Sequence, residues 1–114
     1  MTRPPYPSLR IRFLAQGVGG AATALLDTGF DGHLAIPEAL IAALPPPIYL
    51  RRVRTASGQV VRVPVYLGTV ELLDLPGAIN ALVIALGEEY LVGIQTLNHF
   101  KVTFDHGQQV LVEP

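Results

Sequence analysis

An apolar run in the first third of the chain ends on a single carboxylate, and a sharp turn follows it. Residues 24–26 are Ala-Leu-Leu, and Asp27, Thr28 and Gly29 come directly after them. A carboxylate at the end of a buried strand costs free energy unless something uses it. The pattern occurs once in 114 residues. If Asp27 works as one of a catalytic pair, a second chain must therefore supply the other carboxylate.

Length and composition predict one domain with a large apolar surface. The 114 residues fall within the usual size of a single domain, so residues 1–114 are expected to form one unit. The chain is 50% hydrophobic, which is enough for a core, and 15% charged, below the typical value of about 25%. So few charges predict that apolar area is buried between subunits.

Charge and cysteine usage exclude several classes of function. The net charge is −1, so nothing in the bulk charge points to nucleic acid or an anionic membrane as a partner. The absence of cysteine excludes disulfides, thiolate chemistry and Cys-ligated zinc. The N-terminus lacks the apolar region of a signal peptide, and no segment approaches the ~18 apolar residues of a membrane span. A cytoplasmic location is therefore expected.

Short strands and turns dominate the pattern of the chain. An extended arm is predicted over residues 1–7, and one helix over residues 37–44, with Pro37 in its first position. A hairpin turn is predicted at residues 17–20, and Pro64 indicates an edge position or a bulge. The predicted strands cover residues 9–13, 22–26, 34–36, 49–55, 59–66, 65–73, 79–86, 90–92, 100–104 and 110–112, with a hairpin tip at 56–58, turns at 74–77 and 105–107, and a helical turn at 96–99. This pattern indicates a small, closed, mostly antiparallel all-β fold.

Asp27 has several possible roles when its neighbours alone are considered. It could act as a general base, bind a metal ion, or share one proton with a second carboxylate, because two like charges at close range cannot both ionise cheaply. The simpler interpretation is a turn in which the Asp27 side chain caps the backbone and Gly29 takes a positive φ.

Two separate motifs stand out in the sequence. Residues 25–32 read Leu-Leu-Asp-Thr-Gly-Phe-Asp-Gly, and residues 91–93 read Leu-Val-Gly before a predicted helical turn. Together they resemble the retropepsin-like aspartic proteases, with the small, stand-alone prokaryotic members the most similar. Residues 54–70 fall where that family has its flap hairpin. The likeness spans about residues 8–113, and it implies the closed acid-protease barrel with one short helix.

The resemblance implies a role for each matching residue. Asp27 would be the catalytic carboxylate, Thr28 would hydrogen-bond to its counterpart in the partner subunit, and Gly29 would line the cleft. The implied substrate-binding residues are Phe30, Asp31, Gly32, Ser57 and Gly58. The implied supports of the catalytic loop are Leu91, Val92 and Gly93. The implied protein is a homodimeric aspartic endopeptidase that cleaves a peptide or protein substrate and needs no metal or cofactor.

Two departures from the family pattern leave other functions open. Phe30 is larger than the Ala or Ser that often follows Asp-Thr-Gly in the viral members, so it narrows a subsite or packs inward. Ile94 and Gln95 lack the charges that relatives often carry there, which removes an ion pair that would brace the loop. The alternative is a weak or inactive dimerisation or peptide-binding module. A third possibility is a monomeric β domain in which Asp27 only orders a turn.

The remaining chemical candidates have simpler interpretations. The histidines lack the spacing of a helical metal site, so they are expected to be surface or turn residues: His33, His99 and His106. Ser57 lacks a His–acid partner in the sequence and is interpreted as a turn residue. The basic cluster is interpreted as a solvated strand edge that resists aggregation, with a patch that steers acidic peptides as the alternative: Arg51, Arg52 and Arg54.

Overall fold

The computed structural model describes residues 7–54, 57–75, 77–105 and 109–113. The strands are β1 (Ser8–Ala15), β2 (Val18–Leu26), β3 (Leu34–Ile36), β4 (Tyr49–Arg54), β5 (Val60–Leu72), β6 (Ile79–Ala85), β7 (Leu91–Val92), β8 (Lys101–Asp105) and β9 (Gln109–Glu113). A 3-10 helix covers Glu38–Ala43, and the α-helix α1 covers Ile94–Leu97. Neither of these helices has the length and apolar character needed to cross a bilayer.

Six of these strands close into a barrel. Neighbours pair in the order β1, β2, β7, β3, β6 and β5, and β5 returns to pair with β1. The pairings are antiparallel except for β2 with β7 and β3 with β6, which are parallel. β4 pairs with the first half of β5, and β8 and β9 form a separate two-stranded sheet. The predicted closed, mostly antiparallel β fold is therefore confirmed.

The barrel closes where β5 passes very close to β1. Gly68 pairs with Ala15, and a side chain at Gly68 would collide with the backbone carbonyl of Leu14. Only a residue without a Cβ atom permits this approach. Alternation along β1 then sends Ile11 and Phe13 into the main core, while Arg12 between them faces outward.

The β1–β2 turn is tighter than the predicted turn at residues 17–20. Only Gln16 and Gly17 form it, with φ of 47° and 88°, and β2 already begins at Val18. Positive φ at both central residues suits a two-residue hairpin. Gly20 belongs to β2, where the ring of Phe13 occupies the space that a side chain would need.

The helix predicted over residues 37–44 is a 3-10 helix with none of its own residues buried. Its Ile41 side chain is 39% exposed, so the predicted apolar face is only partly used. The segment is short and three prolines follow it, which leaves little room for α-helical hydrogen bonds. The helical turn predicted at 96–99 instead belongs to α1, two residues earlier in the chain.

Pro64 lies in β5, which has a partner on each side over part of its length. Its neighbour in β4 is Leu50, and the pairing with β6 begins only at Val65. Pro64 therefore occupies a position with one partner strand, in agreement with its predicted edge position. The two strands predicted at 59–66 and 65–73 form the single strand β5.

Some predicted segments lie outside the described residues, wholly or in part. The predicted arm is described only at Pro7, whose carbonyl accepts a hydrogen bond from the Leu26 amide at 3.0 Å. Positions 55 and 56, between β4 and β5, lie outside the described residues, and so do positions 106–108, between β8 and β9. The predicted closing hairpin itself is present as β8 and β9.

Candidate active site

Asp27 stands at the end of β2, where the parallel partner β7 fixes its backbone. Leu25 and Leu26 pair with Leu91 and Val92, and the Asp27 amide donates to the Val92 carbonyl at 2.9 Å. On its other side, the Phe30 amide donates to the Asp27 carbonyl at 3.1 Å. Both backbone groups of Asp27 are thus held, which gives the side chain a rigid base.

The carboxylate of Asp27 is oriented by the turn that follows it. The Gly29 amide donates to Asp27 Oδ1 at 3.0 Å, as in the side-chain-capped turn considered above. The expected positive φ at Gly29 is wrong, because the described glycines with positive φ are Gly17, Gly58, Gly77 and Gly87. Asp27 is half-buried, and Thr28 and Gly29 are exposed. An oriented carboxylate that solvent can reach can act as a general acid or base.

Gly93 and α1 brace this loop through the backbone. The Ile94 amide donates to the Phe30 carbonyl at 2.9 Å, and the Gln95 amide donates to the Gly32 carbonyl at 3.1 Å. A side chain at Gly93 would collide with the carbonyl of Gly32 and with Phe30. The loop residues and the Leu-Val-Gly motif are therefore in direct contact, although about sixty positions separate them in the sequence.

Phe30 packs inward and also forms part of a pocket wall. Its ring lies over Gly32, where a Cβ atom would come within 2.6 Å of the ring. The ring also packs against a second apolar cluster, formed by Ala35, Val63, Val65 and Ile84. The expected inward packing of this large residue is therefore confirmed, and its effect on a substrate subsite stays a prediction.

A pocket of about 350 Å³ lies between the Asp27 loop and β4, and we call it the loop–β4 pocket. Its lining residues are Gly29, Phe30, Asp31, Arg51, Arg52, Val53, Arg54, Ile84 and Leu86. Arg51 Nη2 lies 3.8 Å from Asp31 Oδ1, and both residues line the pocket. The pocket is large enough for a side chain, and Gly29, whose amide caps Asp27 Oδ1, lines it.

The structure does not bring the expected flap-tip residues to the loop–β4 pocket. Ser57 and Gly58 are exposed at the end of the β4–β5 hairpin, and neither lines that pocket. Gly58 has a φ of 86°, and its carbonyl accepts a hydrogen bond from Arg54 Nη1 at 3.0 Å. The expectation that Ser57 and Gly58 close over a bound peptide stays a prediction.

Sequence reasoning missed the structural position of His33, which it placed among ordinary surface or turn histidines. The His33 carbonyl accepts hydrogen bonds from the Gly93 amide at 3.0 Å and from Thr96 Oγ1 at 2.9 Å. The His33 ring is half-buried, and its Nδ1 atom lies 3.5 Å from the Leu82 amide nitrogen. Burial lowers the pKa of His33, and the nearby His99 lowers it further. No spacing rule in the sequence signals this role, which depends on how the loop packs against α1.

Within the described ranges, no three acidic, histidine or cysteine side chains come together as a potential metal site. His33 and His99 are close enough to interact electrostatically, but no carboxylate joins them in such a group. His106 lies outside the described residues. The chemistry that the described site can offer is therefore centred on Asp27.

A closed six-stranded barrel with two braced loops at one end defines a retropepsin-like fold. The simian foamy virus protease, known from a solution structure, is similar to this chain with a TM-score of 0.57 and 21% sequence identity. The match covers 80% of this chain and 91% of that protein. No model of a known protein family matches the chain, and no curated protein matches it. The likeness is therefore one of fold.

Proposed function

We propose that this protein is an aspartic endopeptidase that works as a symmetric homodimer. The placement of Asp27 carries the proposal: its backbone is fixed by Val92, its Oδ1 atom is oriented by the Gly29 amide, and solvent can reach it. The retropepsin-like fold supports the proposal at the level of architecture. A fold alone does not fix an activity, so the residues around Asp27 must supply it.

The dimer follows from the chemistry, because the chain offers one carboxylate of this kind. A two-fold axis beside the turn would bring the two Asp27 side chains together and let the exposed Thr28 contact its own copy. Apolar surface for such an interface is available on β9, where Leu111 is 56% exposed. The low charge content of the chain favours the same interpretation.

The proposed mechanism uses the unequal protonation of two neighbouring carboxylates. Repulsion between like charges leaves one proton shared by the pair. The ionised carboxylate takes a proton from water as the water oxygen bonds to the peptide carbonyl carbon, and the protonated carboxyl gives its proton to the carbonyl oxygen. Proton transfer to the peptide nitrogen then accompanies cleavage of the C–N bond. The substrate would bind extended, as an added strand beneath the β4–β5 hairpin.

The packing of the loop favours catalysis over the inactive binding module. The uncharged Ile94 and Gln95 raised doubt because they cannot form a bracing ion pair. Their backbone amides nevertheless hold Phe30 and Gly32 at hydrogen-bond distance. The loop is thus supported without those charges. A small, stand-alone prokaryotic type and a cytoplasmic location stay predictions.

The test is a digest of a peptide library across pH by the natural protein and by Asp27→Asn. We expect cleavage that falls by at least ~10³-fold in Asp27→Asn, because the amide cannot accept or share the proton. Asp74→Asn is the matched control, since it removes an exposed carboxylate at the turn after β5 and should leave cleavage unchanged. Cleavage that survives in a pure Asp27→Asn preparation contradicts the proposal.

A further inference from the structure

The loop–β4 pocket combines an apolar base with a cationic rim. Ile84 is buried at its base, and Phe30 and Val53 pack against the same second apolar cluster. Such a base suits the carbon stem of a side chain and does not discriminate strongly between stems of similar length. Selectivity in this pocket must therefore come from its charged rim.

Three arginines and one carboxylate form that rim. Asp31 is the single acidic residue of the lining, against Arg51, Arg52 and Arg54. A guanidinium group binds a carboxylate through two parallel hydrogen bonds, a geometry that neutral partners match poorly. The rim therefore favours a negatively charged side chain.

Strand register indicates which arginine faces the pocket. Arg51 lies opposite Val63, which is 2% exposed and belongs to the second apolar cluster. Arg52 also lines the pocket, but it lies opposite the exposed Arg62, so strand alternation directs its side chain toward the other face of the hairpin. Arg54 uses one of its donors on the Gly58 carbonyl. Arg51 is thus the arginine whose side chain shares a face with the base of the pocket.

Arg51 remains available for a ligand although it forms an ion pair with Asp31. The two groups are 3.8 Å apart, with side chains 42% and 82% exposed, so water screens their attraction. An incoming carboxylate that covers the pocket would be less screened than Asp31 is. Arg51 can turn toward it at small cost.

We propose that the loop–β4 pocket is a subsite for an acidic substrate side chain close to the cleaved bond, and that Arg51 determines this preference. The inference rests on the proposed peptidase function, and it selects the interpretation of the basic cluster as a patch for acidic peptides. The strand-edge interpretation accounts for Arg52 and Arg62, which lie on the outer face. It does not account for Arg51, which faces the pocket.

The test compares pairs of peptides that differ only by Glu or Gln at one position at a time. In the natural protein, kcat/KM should favour Glu at one position near the cleaved bond by about tenfold at low salt, and the preference should shrink as salt is added. Arg51→Gln should reduce it to about twofold or less, and Arg51→Glu should favour Lys at that position. Arg62→Gln, on the outer face of the same hairpin, is the matched control and should keep the preference.

Binding separates this inference from the peptidase proposal. Affinities for the same peptide pairs are measured by fluorescence anisotropy on Asp27→Asn protein, which retains the pocket. A Glu preference that disappears with Arg51→Gln supports the subsite, even if no peptide is cleaved by the natural protein. The subsite proposal is overturned if Asp27-dependent cleavage shows no Glu preference, or if the preference survives Arg51→Gln. Either result leaves the peptidase proposal in place. Equal binding of both peptides of every pair also overturns the subsite.

Discussion

At the scale of a single residue, His33 makes the packing beside the Asp27 loop sensitive to pH. Its carbonyl holds Gly93 and Thr96, and its half-buried imidazole has a lowered pKa, chiefly because burial disfavours the charged ring and secondarily because of His99. The ring is therefore harder to protonate in the folded protein than in the unfolded chain, where the pKa is about 6.5. Protonation favours the unfolded chain.

We expect the free energy of unfolding to fall as pH drops below about 6.5, and to be free of this effect above it. His33→Asn should flatten that dependence. Urea unfolding of both proteins between about pH 7.5 and pH 5 measures the difference. His99→Asn serves as the comparison, and it should keep most of the dependence because burial is the larger cause. An unchanged slope in His33→Asn contradicts this account.

Among the elements, the closure of the barrel depends on the contact between β1 and β5. Gly68→Ala would place a Cβ atom against the carbonyl of Leu14. This backbone group cannot move without separating β1 from β5. We expect a loss of at least ~2 kcal/mol in the free energy of unfolding, measured by urea titration, or failure to fold.

Gly19→Ala is the matched control for this substitution. Its Cβ atom would meet the end of the Leu14 side chain at 2.9 Å, and that side chain is exposed and free to rotate away. The control should change stability by less than about 1 kcal/mol. Equal stability of Gly68→Ala and Gly19→Ala would show that the contact between β1 and β5 tolerates a side chain at position 68.

The local elements could be predicted from the sequence, whereas several of their pairings could not. Alternation and turn residues predicted β1, β3 and the hairpin of β4 with β5, because those signals act within a few residues. The parallel pairing of β2 with β7 joins Leu25 to Leu91, and no short-range pattern specifies it. The family resemblance placed the two motifs together, and the hydrogen bonds from Ile94 and Gln95 appear only in the folded chain.

The motifs of the candidate site could be predicted from the sequence, but the orientation of the side chains around them could not. The Asp27 turn and Gly93 stand out in the sequence by their type and order. The orientation of Phe30 depends on the space over Gly32 and Gly93, which only the packed loop defines. The pocket role of Arg51 depends on strand register, because a shift of one residue would turn it to the outer face.

For the whole molecule, the proposed shared site requires that each active unit contains two chains. Asp27 lies at an exposed turn, and one chain supplies half of the proposed acid–base pair. The proposed activity therefore depends on assembly as well as on chemistry. Activity should depend on which partner each chain finds, and a mixture of active and inactive chains can measure this.

The most direct measurement mixes natural chains with Asp27→Asn chains and allows them to exchange before peptide cleavage is assayed. In an equimolar mixture, random pairing should reduce the activity per natural chain to about half, because mixed pairs hold one ionisable carboxylate. Mixing with Asp74→Asn chains should cause no loss. Exchange is checked by recovering a tagged chain together with an untagged one. Full activity per natural chain in a mixture shown to have exchanged would contradict the shared site.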